Sequence, residues 1–270
     1  MTKRVGLIGY GAIGQSVTQA WLDQPVQGHV LASVLVRPHQ QLVAQAQLGR
    51  SVQVTSDLDA FLANDLDLVV ELAGQSAVVD LGARILRAGV DLMILSVGAL
   101  ARQSVVDMLM AAATARGASI RVPVGATAGL DGLLAMRRAG LKRVVYTSTK
   151  PPKAWQGTPA ASVVDLDAID RPTLVFTGTA REAAMMFPKN ANLAAAVALA
   201  GLGFDQTTVV LRADPQAKEN VGCIEAEGLT SSLTVIVAGR SEPANPKSSR
   251  ITGVSVLSAL ENDAHWLAFA

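Results

Sequence analysis

Only one cysteine, Cys223, occurs in 270 residues. That excludes an intrachain disulfide and any metal site built on clustered cysteines, and it fits a reducing compartment. Histidine is almost as scarce. His29, His39 and His265 show no spacing that would set two ligands on one helix face, so no metal is expected. Blocks of like charge are missing, and 23 basic against 22 acidic side chains leave a formal charge of +1. A phosphate-backbone binder needs a basic face, so nucleic acid is not an expected partner. Long apolar runs are absent too. Mean hydropathy is +0.34, yet Gly, Asp, Arg or Lys breaks every apolar stretch before the roughly 20 residues a spanning helix requires. Met1-Thr2-Lys3-Arg4 and the apolar residues after it look like the opening of a secretory signal, but glycines at 6, 9, 11 and 14 interrupt the run and no small-residue cleavage site follows. The expectation is a cytoplasmic globular protein with no membrane partner.

Hydrophobic residues make up 50% of the chain, enough for a substantial core in one large or two modest domains. From Val5 to about Pro123, short runs of Val, Ile and Leu alternate with longer amphipathic or alanine-rich stretches. This is the pattern of parallel strands joined by crossover helices. Strands are expected at 4–8, 31–36, 66–72, 91–96 and 119–122, and helices at 13–22, 40–48, 57–63, 77–88 and 104–116, the third capped by Ser56. Beyond Pro123 the texture changes. Val124-Gly125-Ala126-Thr127-Ala128-Gly129 is a small-residue hinge, followed by helices at 131–139, 181–186 and 192–200 and strands at 143–148, 173–177, 207–212, 221–227 and 233–237. The fold class is α/β: a doubly wound parallel sheet followed by a second, mixed α+β domain. A periodic stretch at 248–260, after the turn-like Pro243-Ala244-Asn245-Pro246, is expected to pack back on the first domain.

Gly9-Tyr10-Gly11-Ala12-Ile13-Gly14 is a G-x-G-x-x-G between an expected strand and an expected helix. Gly9 permits a tight turn, Gly11 lets backbone approach a pyrophosphate, and Gly14 lets the helix pack close to the strand. The pyrophosphate would lie on the free amides of the helix N-terminus, around Ala12 and Ile13. A turn that holds no ligand is the plain alternative. An NAD-selective site usually ends its second strand with an acidic residue; Arg37 stands there instead, suited to a 2′-phosphate or to stacking on adenine, so NADP or NAD is the expected cofactor. A solvated arginine at a strand end is the competing reading. Ala73 and Gly74 complete the expected cofactor contacts of the Rossmann domain. The domains are then 1–123, dinucleotide-binding, with 246–270 packing back on it, and 124–245, for substrate binding and oligomerisation.

Several further motifs occur in register: Gly125-Ala126-Thr127-Ala128-Gly129-Leu130-Asp131, Thr149-Lys150-Pro151-Pro152, Phe187-Pro188-Lys189-Asn190-Ala191-Asn192-Leu193-Ala194-Ala195, Ala213-Asp214-Pro215 and Asn245-Pro246-Lys247-Ser248-Ser249. Together they resemble the L-aspartate dehydrogenase family over nearly the whole chain. The resemblance implies a homodimer and reversible NAD(P)-dependent oxidative deamination of L-aspartate to iminosuccinate, which hydrolyses to oxaloacetate and ammonia or feeds NAD biosynthesis. It puts Ala126 and Asn192 beside the cofactor, although Asn192 at a helix start could equally be an N-cap. Lys150, Asn190, Lys247 and Ser249 are the candidates for holding a dicarboxylate amino or keto acid.

The chain departs from that family at one place. Where the family's pattern resembles Asn-Val-His-Glu-Ile, with the histidine as acid/base, this sequence has Asn220-Val221-Gly222-Cys223-Ile224. Glycine carries no proton, and such assistance is typically worth about 10² to 10⁴ in rate. Three readings follow: an aspartate dehydrogenase in which Cys223, Lys150 or an ordered water stands in at Gly222; a reductase of a related imine or keto acid; or a catalytically idle dinucleotide-binding or sensing protein. A cysteine in an apolar strand is more often a buried hydrophobe than a catalyst.

Overall fold

The computed structural model describes residues 2–242, 245–249 and 251–268, and side chains outside 241–250. The chain forms two compact units, one reaching to Pro123 and resuming at Gly253, the other running from Val124 to Thr252. Among the described residues, no helix is long and apolar enough to cross a membrane.

The first unit alternates strands and helices: β1 (Lys3–Ile8), α1 (Ala12–Asp23), β2 (His29–Leu35), α2 (Gln41–Leu48), β3 (Gln53–Thr55), α3 (Leu58–Leu62), β4 (Leu68–Glu71), α4 (Gln75–Arg87), β5 (Asp91–Ile94), α5 (Gln103–Thr114) and β6 (Ile120–Arg121). Its six strands are parallel in the order β3-β2-β1-β4-β5-β6. All four residues of β4 are buried, which is why its central strand is apolar without alternation. Three residues are too few to show a period, and β3 was not expected for that reason. The cap of α3 is Asp57, whose Oδ1 accepts the Ala60 N–H at 2.7 Å. The neighbouring Ser56 hydroxyl donates instead to Gln41 Oε1 at 3.2 Å, so the expected Ser56 cap is corrected by one position.

The second unit contains α6 (Leu130–Ala139), β7 (Leu141–Lys150), β8 (Thr173–Thr179), α7 (Ala180–Met186), α8 (Asn192–Ala200), β9 (Thr208–Ala213), β10 (Asn220–Gly228), β11 (Ser232–Gly239), β12 (Ser241–Glu242) and β13 (Asn245–Ser249). Five of these strands make a mixed sheet, β11-β10-β7-β9-β8, in which only β7 and β9 run parallel. Helices α6, α7 and α8 pack on it. Val144, Tyr146, Ser148 and Lys150 alternate along one face of β7, and all four are buried.

The last helix, α9 (Ile251–Ala264), returns to the first unit. Its Val256, Leu257 and Leu260 join a core with Val17, Trp21 and the strands β1 and β4. A Cβ at Gly253 would already lie 3.1 Å from Val17, so the small residue sets how closely α9 approaches α1. Asp263 anchors the far end, accepting from Lys3 Nζ at 3.3 Å and from the Arg121 guanidinium. Burial alone would raise its carboxyl, but those two cations hold it below the ordinary carboxylate range. Residues 248 and 249 are strand rather than helix, because β13 pairs with β12 inside the second unit. The chain therefore rejoins the first unit at Gly253, later than residue 246.

Candidate active site

The coenzyme side of the first unit follows from three glycines with different surroundings. Gly9 has φ +101°, and a Cβ on it would stand 2.9 Å from the Ala73 Cα. At Gly14 a Cβ would fall 2.3 Å from the Gly9 carbonyl oxygen, so α1 rides directly on the turn. A Cβ on Gly11 would meet nothing within 4 Å. This open position is also the N-cap of α1, where no side chain caps the helix and no acidic residue occupies the first turn. The amides of Ala12 and Ile13 have no partner within the helix, and a dinucleotide pyrophosphate fits there.

Two more contacts shape this edge. The Tyr10 carbonyl accepts from Gln15 Nε2 at 3.1 Å and from Gln40 Nε2 at 3.2 Å, which ties the turn after β2 to the glycine loop. Arg37 opens that turn and is exposed, its carbonyl accepting the Gln40 N–H at 2.9 Å. At the end of β4, the Glu71 carboxylate is 1% exposed. It accepts from Ala73 N at 2.8 Å, Gly74 N at 2.6 Å, Ser96 N at 3.0 Å and Ser96 Oγ at 2.9 Å. Burial pushes its carboxyl above the ordinary value, and these bonds work against that shift.

In the second unit the polar groups stand on β7 and on the loop before α8. Lys150 ends β7 and is buried, its Nζ 5.5 Å from the centre of the Trp155 ring. Trp155 meets Phe187 edge-on at 6.1 Å, and the Phe187 carbonyl accepts the Asn190 N–H at 2.8 Å. Lys150 thus stands against Trp155, and Asn190 lies in the turn after Phe187, just before α8. The buried Asn190 Nδ2 has no hydrogen-bond partner, and an unmet donor of that kind suits a ligand acceptor.

Gly222 pairs with Ser148 and so shares the face of Tyr146, Ser148 and Lys150. A Cβ there would meet the Tyr146 hydroxyl at 3.0 Å. Burial pushes that phenol well above its ordinary value, partly offset by its hydrogen bond with Ser148. Cys223 pairs with Thr147 and Ile236 and lies on the opposite face of the sheet. Burial, then the charge of Glu225, raises its thiol, the reverse of what a nucleophile or acid needs near neutrality. The expected stand-in Cys223 therefore does not share the face of Gly222 and Lys150.

Residues 9–123 match the family model described as homoserine dehydrogenase, NAD binding domain, and residues 131–263 match aspartate dehydrogenase, C-terminal. The chain is 41% identical over 264 residues to the L-aspartate dehydrogenase of Ralstonia pickettii and 42% identical over 264 residues to that of Ralstonia nicotianae, with 97% of each chain covered in both cases. It belongs to the L-aspartate dehydrogenase family. The aspartate dehydrogenase of Thermotoga maritima shares its fold, with a TM-score of 0.78 at 23% identity and full coverage of both chains. A family member of this kind is an NAD(P)-dependent oxidoreductase, and the relatives favour that reading over a sensing protein.

Ala126, which the resemblance puts beside the cofactor, is buried in the second unit next to the buried Thr127. Asn192 is the first residue of α8 and not its cap; Ala191 takes the cap position without a side-chain bond. Lys247 and Ser249 lie on β13, and their side chains fall outside the described residues. Glu71, Ser96, Tyr146, Ser148 and Trp155 were not singled out from sequence. Glu71 did carry a signal, as an acid closing the apolar run Leu68-Val69-Val70.

Proposed function

We propose that this protein is an NAD(P)-dependent L-aspartate dehydrogenase, interconverting L-aspartate with iminosuccinate, which hydrolyses to oxaloacetate and ammonia. The reading is carried by the open cradle at Gly11, in a chain related along nearly its whole length to such enzymes. When bound, the nicotinamide supplies a hydride acceptor. The chain's residues bind and orient. Amides of Ala12 and Ile13 hold the diphosphate, with Gly9, Gly14, Ala73 and Gly74 shaping the loop. Lys150 offers a charge-assisted bond to a substrate carboxylate, its ammonium held against Trp155. Asn190 supplies a second donor, and Ala126, Asn192, Lys247 and Ser249 complete the proposed contacts. At Gly222 the chain has no proton carrier, so the amine must reach the site already unprotonated, and orientation supplies several kcal/mol on its own. The pH optimum is therefore alkaline.

Arg37 favours NADP through a bond to its 2′-phosphate. The open face of the second sheet carries Leu174 and Ile236, 51% and 66% exposed, and a second copy of the chain would cover them in a homodimer. We place the enzyme in the cytoplasm, with a reducing environment for Cys223.

The test is oxidation of NADPH and NADH by oxaloacetate with ammonium, from neutral to strongly alkaline pH, alongside a panel of other keto acids. Turnover with oxaloacetate is expected, with a lower KM for NADPH that Arg37→Asp reverses. No oxidation with oxaloacetate at any pH overturns the reading, and preference for another keto acid moves it to a related reductase.

A further inference from the structure

The strand order reverses between β1 and β4: from β1 the chain builds outward through β2 and β3, then crosses to β4 and builds outward through β5 and β6. Ligands of open α/β sheets seat outside the carboxyl ends of the strands at such a switch point. Glu71 is the last residue of β4 and pairs with Ile8, the last of β1, so its carboxylate lies at the floor of that crevice. We propose that Glu71 is a positioning residue for the coenzyme, its carboxylate locking the turn after β4 to the turn after β5 and so fixing the surface on which the nicotinamide half rests.

Burying a carboxylate away from cations is costly unless every lone pair is used. Here Oε1 accepts from Ala73 N, Gly74 N and Ser96 Oγ, and Oε2 accepts from Ser96 N. Four donors converge on the group, three of them backbone amides that no substitution elsewhere removes. Only an acceptor-only side chain satisfies them together; glutamine would turn an N–H toward one of these donors. The clamped turn also touches the glycine loop, since a Cβ on Gly9 would stand 2.9 Å from Ala73 Cα. A shift of the Ala73 turn is therefore passed to the loop that receives the diphosphate.

The proposal rests on the coenzyme reading above, and the experiment separates the two. Wild type, Glu71→Gln and Ser96→Ala are titrated with NADPH and NADP⁺ by fluorescence, with KM and kcat for each substrate and melting temperatures measured in parallel. Glu71→Gln should raise the coenzyme Kd and KM by about tenfold or more, the loss expected for bonds to a charged acceptor, while the aspartate KM at saturating coenzyme stays within about twofold. Ser96→Ala removes one of the four bonds and should shift coenzyme affinity the same way by less, which keeps the test decisive if Glu71→Gln does not fold. Unchanged coenzyme affinity in a folded variant with a lowered melting temperature assigns Glu71 to stability alone and overturns the proposal, as does an effect confined to the aspartate KM. Failure of the wild type to bind any coenzyme overturns the coenzyme reading itself.

Discussion

In the first unit the groups that would meet a ligand are backbone amides, and what places them is the absence of side chains at Gly9, Gly11 and Gly14 together with one buried carboxylate. In the second unit they are side chains, Lys150 at the end of β7 and Asn190 before α8, with Gly222 on the face of Lys150 and crowded by the Tyr146 hydroxyl. The first arrangement has no room for a Cβ at Gly9 or Gly14 and relies on a single polar side chain, Glu71. In the second, each role sits on a single replaceable group. Substitutions on the two sides should therefore fail in different ways.

The largest effect is expected from Gly14→Val, whose side chain would be driven into the Gly9 carbonyl. Overpacking of this kind costs up to about 3 kcal/mol, so coenzyme Kd by fluorescence titration should weaken about 10²-fold. Near-normal affinity would mean that the loop is not held as described. Next comes Lys150→Ala, with a loss of about 10² in kcat/KM for aspartate and an unaltered coenzyme Kd, because truncating a buried charge that holds a carboxylate costs a few kcal/mol. A loss shared equally by both substrates would erase the division between the units.

A smaller gain is expected at Gly222. Its Cβ direction is crowded by the Tyr146 hydroxyl at 3.0 Å, while the ring carbons behind it stand at 3.4 Å and 3.6 Å, ordinary contact distances. Gly222→His should therefore help little alone but raise kcat at neutral pH by about tenfold when combined with Tyr146→Phe. If the pair does nothing, position 222 does not carry the proton role that the family resemblance implies. Smallest of all is Cys223→Ser. The thiol lies on the other face of the sheet, so kcat/KM should change by less than about twofold, and a tenfold loss would put the sulfur back at the reacting atoms.

How much of this was legible beforehand divides along the same line. The glycine spacing announced a coenzyme loop because conformational demands are local, and most strands and helices of the first unit declared themselves through apolar runs. A three-residue strand such as β3 offers no period to read. Residue order at β10 could not say which of Gly222 and Cys223 faces Lys150, since that depends on pairing with β7, some seventy residues earlier. The Tyr146 hydroxyl beside Gly222 is invisible for the same reason. Glu71 differs: a charged residue ending a fully buried strand is an oddity of composition alone, and it marks the clamp that later appears in three dimensions.

The helix α9 gives the molecule an order of assembly. A ribosome finishes β6 long before it reaches Val256, Leu257 and Leu260, so throughout the synthesis of the second unit the nascent sheet lacks part of its hydrophobic lining. The last part of that lining closes only when the returning helix docks along α1.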